Sequence, residues 1–174
     1  AWGFRQHIIP ILTKRGCNSG PCHGAAGGKN GLKLTLRGYD PQADYEVLTR
    51  EATARRISLA DPAASLFLLK PTMTIPHGGG KKIDVDSLEY QVLSEWIAAG
   101  APGLKNSDPA VVGLEVHPRA ATLTPNATQR LLVRARYSTG RTEDVSRWTR
   151  YGSTDAAVAE VSNDGVVTMV GRGE

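Results

Sequence analysis

Seven residues carry the chemistry most legible in this chain: Cys17-Asn18-Ser19-Gly20-Pro21-Cys22-His23. Two cysteines closed at once by a histidine are the residue types that hold a haem covalently. Each thiol adds across one porphyrin vinyl group, and the histidine beside the second thioether reaches the iron as its proximal ligand. The usual pattern puts two residues between the cysteines, and here there are four. Gly20 and Pro21 suit the longer loop, because glycine tolerates positive φ and proline fixes a turn. The chain has only these 2 cysteines, so nothing else competes for them. Two other readings stay open at this level. Cys17 and Cys22 could close a small disulfide loop, or they could supply part of a zinc site. A structural zinc wants four ligands, however, and no second Cys/His pair sits at a finger-like spacing.

A second iron ligand would come from the proline- and glycine-rich stretch Pro71-Thr72-Met73-Thr74-Ile75-Pro76-His77-Gly78-Gly79-Gly80-Lys81-Lys82. Both Met73 and His77 can bind haem iron. His77, between Pro76 and Gly78, is the first choice and Met73 the runner-up. Gly78 to Lys82 lacks the GxxxxGK[ST] spacing of a phosphate-binding loop. Arg50, Arg55 and Arg56 offer guanidinium groups that match propionate carboxylates, although each reads equally well as a solvated surface arginine. His7, ten residues before Cys17, reads as a surface or propionate-side residue.

The elements that must position these residues are short. Phe4, Ile8, Ile11 and Leu12 recur at helical spacing, which predicts a helix ending near Lys14 with Gly16 as its C-terminal glycine; Pro10 is compatible only in a first turn. The run Gly24-Ala25-Ala26-Gly27-Gly28 would let backbone pass close to a flat macrocycle. Leu32, Leu34 and Leu36 alternate with polar residues and predict a half-buried strand. Asp40-Pro41 and Asp61-Pro62 each read as an N-cap followed by an N1 proline, opening two helices, the second stopped by Pro71. Asp86-Ser87-Leu88-Glu89 reads as a capping box with Asp86 in the cap position. Leu88, Val92, Leu93, Trp96 and Ile97 then mark a helix ending at Gly100, with Trp96 packed against the first helix and the haem edge. Beyond the polar linker Lys105-Asn106-Ser107-Asp108-Pro109, short strands are predicted at Gly113–His117, Gln129–Tyr137, Thr142–Asp144, Ala157–Val161 and Val166–Val170, with Trp148 a core candidate.

Composition limits the function classes. The formal charge is +4, from 21 basic and 17 acidic residues, and neither half concentrates a basic face, so nucleic-acid binding is not expected. No apolar run approaches a membrane span, and no signal-peptide pattern opens the chain. Ala1 therefore reads as the start of a mature form or of an excised fragment.

The first part resembles a known family on these residues: Phe4, Ile8, Pro10, Ile11, Leu12, the Cys17-x4-Cys22-His23-Gly24 motif, Pro62, Ser65, Leu66, Trp96, Ile97, Gly100 and Ala101. Over roughly the first 105 residues it is similar to the cytochrome c domains of large secreted planctomycete-type proteins. The sequence departs from them in its four-residue cysteine spacing. It also departs in carrying Ile75-Pro76-His77 where relatives often have Met-Pro-Pro, which brings His77 forward. The second part, on Arg141-Thr142, Asp144-Val145, Trp148, Ser153-Thr154-Asp155, Val158-Ala159, Val161 and Gly165-Val166-Val167, resembles bacterial immunoglobulin-like group 2 domains. The resemblances imply two domains. A mainly α, cytochrome c-like haem domain over residues 1–108 precedes an all-β immunoglobulin-like sandwich over 109–174 that lacks its last strand. They imply haem c iron held by Cys17, Cys22 and His23, with His77 (or Met73) distal. They further imply an exported protein, periplasmic or cell-surface associated, that exchanges electrons with a redox partner protein, and they leave open whether it is also an enzyme. A haem sensor or weak peroxidase with a labile distal site, and a zinc- or disulfide-stapled adhesion fragment, are the competing readings. A sandwich without its closing strand would leave the Val166–Val170 edge open and favour a homodimer.

Overall fold

In a computed structural model, residues 2–173 are described, and the chain divides into two compact units, Ala1–Asp108 and Pro109–Glu174. The first unit opens with a π-helical turn, Phe4–Ile8, that runs directly into helix α1, Ile9–Lys14. Pro10 falls in the first turn of α1, where its missing N–H breaks no helical bond, and Gly16 (φ 73°) ends the segment in the left-handed region. Helix α2, Pro41–Thr49, starts as its sequence dictates: the Asp40 carboxylate accepts from Gln42 N and Ala43 N, both at 3.1 Å. Asp61 likewise caps a single 3₁₀ turn, Pro62–Ala64, which hands over to α3, Leu66–Leu69. Helix α4, Leu88–Ala98, is the longest, and Gly100 (φ 89°) lies just past its end.

These pieces share one core. Phe4, Ile8, Leu48, Leu68, Val92, Trp96 and Ile97 are all 1% exposed or less. The Trp96 ring lies 5.6 Å from Phe4 and 6.3 Å edge-on to Phe67, and its Nε1 donates to Pro102 O at 3.0 Å. Burying that indole is the largest single apolar contribution in the unit. Trp96 thus joins the first helix to the last, as its spacing predicts, but it does not line the cavity described below.

The second unit holds six strands in two antiparallel sheets: β1 (Val111–His117), β2 (Thr128–Arg130), β3 (Leu132–Tyr137), β4 (Thr142–Asp144), β5 (Ala159–Val161) and β6 (Val166–Met169). One sheet has the order β1-β3-β4 and the other β2-β6-β5. Its fully buried apolar side chains are Val133, Ala135 and Tyr137, all on alternate positions of β3. Trp148 is only half-buried.

The expected fold class is corrected by these observations. The first unit is not mainly α: its α-helices are 6, 9, 4 and 11 residues long, joined by turns and isolated 3₁₀ pieces. The second is not an immunoglobulin-like sandwich but two small three-stranded sheets whose buried apolar positions come from one strand. The physical reason is chain punctuation. Gly and Pro, 19 and 10 of 174 residues, interrupt helices and strands before either reaches the length a layered fold needs.

Local expectations were revised with it. The half-buried strand at Leu32–Leu36 is absent. Leu34 is buried, but Leu36 starts a 3₁₀ turn and is 54% exposed. Asp86 does not cap α4; Ser87 does, its hydroxyl accepting from Tyr90 N at 3.2 Å. The single strand expected over Gln129–Tyr137 breaks at Leu131, and its halves join different sheets. Strand β6, expected to leave an open edge, is the central strand of its sheet, paired with β2 and β5.

Candidate functional site

The Cys17–His23 loop follows α1 and folds back on itself through backbone hydrogen bonds. Cys17 N donates to Leu12 O at 2.8 Å, Cys22 N to Ser19 O at 3.0 Å, and His23 N to Cys17 O at 2.9 Å. Asn18, 1% exposed, anchors the interior of the loop: its Nδ2 donates to Thr13 Oγ1 at 2.9 Å and its carbonyl accepts from Arg37 N at 3.0 Å. The closure depends on Gly24, where a Cβ would collide with the Asn18 and Ser19 carbonyls. Gly20, expected to supply the turn by positive φ, does not adopt it, and a Cβ there would meet open space. The small-residue run after His23 therefore closes the loop; none of Gly24 to Gly28 lines the cavity.

Both cysteines are free thiols, and both line a cavity of about 390 Å³ together with His23 and His77. Burial pushes the Cys17 thiol up to about 11, with Cys22 adding to the shift. A thiol held neutral in this way is poorly reactive toward disulfide exchange at physiological pH. Apolar walls come from Ile11, Leu12, Leu32, Leu34, Phe67 and Leu93.

The two histidines reach this cavity from separate segments and are held alike. His23 Nδ1 lies 3.1 Å from Leu32 O, and His77 Nδ1 lies 2.9 Å from Gly80 O. A carbonyl only accepts, so in the neutral form of either ring the Nδ1 contact selects the Nδ1–H tautomer and leaves Nε2 as the lone-pair nitrogen. Burial lowers the His23 pKa, against the raising effect of the Leu32 carbonyl, which favours the neutral ligand form. The ring centroids are 6.2 Å apart with planes 12° from parallel. A backbone carbonyl on the non-ligating nitrogen is a usual outer-shell partner of a metal-bound histidine.

The basic side chains around the cavity sort by what they already hold. Arg56 is committed to the fold, its guanidinium donating to the Val47, Glu51 and Gly31 carbonyls. Arg50 does not line the cavity, whereas the exposed Arg55 does. Lys82 lines it as well, and Lys70 Nζ donates to Pro76 O at 3.1 Å. Sequence reasoning missed Arg15. It lines the cavity, pairs with Glu89 through NH2 at 2.7 Å, and keeps a buried Nε without an acceptor among the described residues. Its position two residues before Cys17 was the available signal. Arg15, Arg55 and Lys82, with Lys29 on the same cavity, are thus the groups suited to a carboxylate-bearing ligand.

Met73, the runner-up ligand, is 45% exposed with φ 61° and does not line the cavity. His7 sits edge-on to Trp2 and accepts from Gly3 N at 3.0 Å, and His117 is on β1 in the second unit; neither borders the cavity. Among the described residues no group of three or more His, Cys, Asp or Glu is placed to hold a metal ion by itself. No helix among them is long and apolar enough to cross a membrane. No family model matches the chain, and no curated protein matches it.

Proposed function

We propose that the first unit is a single-haem c-type electron-transfer module. Cys17 and Cys22 form the thioethers, His23 is the proximal ligand, His77 is the distal ligand, and a redox partner protein exchanges the electron. The observation that carries the reading is the pairing of His23 and His77 on one cavity, each with Nδ1 on a backbone carbonyl, beside the two free thiols. The donor set fits haem better than zinc, because two near-parallel imidazoles and two loop thiols on a broad apolar cleft suit a flat macrocycle.

Haem iron supplies a one-electron couple when bound. The chain's own residues do the rest. Ile11, Leu12, Leu34, Phe67 and Leu93 exclude water, and Arg15, Arg55 and Lys82 balance propionate charge. The Leu32 and Gly80 carbonyls fix the tautomer of each imidazole. An imidazole pair gives a lower potential than histidine with methionine. The reading carries with it an exported protein, periplasmic or at the cell surface, as the resemblance to secreted cytochrome c domains implies. The second unit is then a β-rich spacer within that protein.

Acid–acetone extraction followed by intact-mass measurement tests the reading. The expected product retains one haem on the polypeptide. Loss of the porphyrin to the organic phase would exclude covalent attachment. Carbon monoxide added to the reduced protein separates electron transfer from a sensor or peroxidase, since only a vacant or labile distal site binds it promptly.

A further inference from the structure

Three consecutive glycines, Gly78, Gly79 and Gly80, follow His77, and they are not equivalent. Gly80 has φ 69° and its carbonyl accepts from His77 Nδ1 at 2.9 Å, so the chain turns back over the imidazole. Within that turn Gly79 abuts the ring. A Cβ at Gly79 would stand 3.0 Å from His77 Cε1, 3.3 Å from Nε2 and 3.6 Å from Nδ1. A Cβ at Gly78 would meet nothing within 4 Å. Neither Gly78 nor Gly79 is in the left-handed region, so alanine is allowed by the backbone at both. The two positions therefore differ in one respect: whether a methyl presses on the His77 ring.

We propose that Gly79 is a positioning residue for the distal ligand: its missing side chain is what lets His77 turn Nε2 to the cavity while Nδ1 stays on Gly80 O. Carbon atoms in comfortable contact sit about 3.5–4.0 Å apart, so a methyl at 3.0 Å displaces the ring by roughly half an ångström. Ligand constellations tolerate about 0.5 Å and 10–20° before they fail. The contact bears most closely on Cε1 and Nε2, the latter the nitrogen proposed to ligate. It also strains the 2.9 Å bond that selects the tautomer.

The inference rests on His77 as distal ligand, and its test is arranged so the two fail separately. Gly79→Ala, Gly78→Ala and His77→Ala are compared with the unaltered chain in two states. In the haem-free chain, long-range proton–nitrogen NMR of the His77 ring reads the tautomer. A single Nδ1–H form is expected for the unaltered chain and Gly78→Ala, and a mixture for Gly79→Ala. In the ferric haem-bearing chain, a low-spin spectrum is expected for the unaltered chain and Gly78→Ala. Gly79→Ala should acquire a high-spin component and, once reduced, bind carbon monoxide at least tenfold faster. An unchanged tautomer and spectrum in Gly79→Ala would overturn the inference, as would equal effects at Gly78 and Gly79. A haem-bearing His77→Ala chain that kept its low-spin spectrum would overturn His77 ligation, whereas the tautomer comparison would still judge Gly79.

Discussion

Arg15 and Glu89 form a 2.7 Å ion pair that ties the approach to the cysteine loop to the first turn of α4, with the Glu89 side chain only 5% exposed. A buried carboxylate is costly without its cation, so the two single replacements and the double replacement should differ. Arg15→Leu should destabilise the chain by about 3 kcal/mol, because it removes the paired cation from a buried carboxylate. Arg15→Leu combined with Glu89→Leu should recover most of that loss. Urea unfolding of the four chains completes the cycle, and a double variant as weak as Arg15→Leu would refute the coupling.

The proposed haem site makes a second comparison. His77 borders the cavity and Met73 does not. In the haem-bearing protein, His77→Ala should turn the ferric spectrum high-spin, and Met73→Ala should leave it low-spin. The reverse pattern would assign the ligand to Met73.

Loop closure predicts a contrast between two glycines of the same segment. Gly24 abuts the Asn18 and Ser19 carbonyls, whereas Gly20 faces open space. Gly24→Ala should displace His23 and, if the proposed haem attachment holds, reduce covalent incorporation roughly tenfold, with stability falling by about 1–3 kcal/mol from overpacking. Gly20→Ala should incorporate haem normally. Haem-to-protein absorbance ratios after purification measure both.

Asp44 gives the pH dependence. Its carboxylate, 1% exposed, accepts from Thr35 N at 2.6 Å and Thr35 Oγ1 at 2.8 Å. Burial raises its pKa above 3.8, more than the Thr35 bonds lower it. The raised value means that the folded state holds the proton more tightly than the unfolded chain. Its contribution is therefore fully present below pH 3.8 and is lost as pH rises through the higher folded value. The stability of the natural chain minus that of Asp44→Asn should accordingly fall over this interval and level off above it. A difference that rose with pH would show that the threonine bonds outweigh burial.

Features decided by neighbouring residues were legible in the sequence. The caps at Asp40 and Asp61, the proline in the first turn of α1, and the glycines ending α1 and α4 follow from φ preferences and side-chain acceptors within a few residues. The cysteine–histidine motif and the candidacy of His77 were legible for the same reason, since residue type and spacing alone define them. Trp96 found Phe4 because helical periodicity aims both at one core.

Long-range choices were not legible. Alternation at Leu32–Leu36 fits a strand, yet a strand needs a partner, and the only pairing formed there is a single bridge between Lys29 and Leu32. The run from Gln129 to Tyr137 offered no local reason to break at Leu131; the break exists because β2 pairs with β6 and β3 with β1 and β4. Arg15 was passed over because its importance lies in Glu89, 74 residues away. The sequence by itself determined which residues could ligate and several of the local caps and stops, such as Asp40 before α2 and Gly100 after α4, because those rest on local sterics and hydrogen bonding. Only the tertiary structure decided that His77 and not Met73 borders the cavity. That choice depends on how the loop after α3 folds back, with Lys82 N and Ile83 N donating to Pro71 O, and on its meeting His23 from a segment far earlier in the chain.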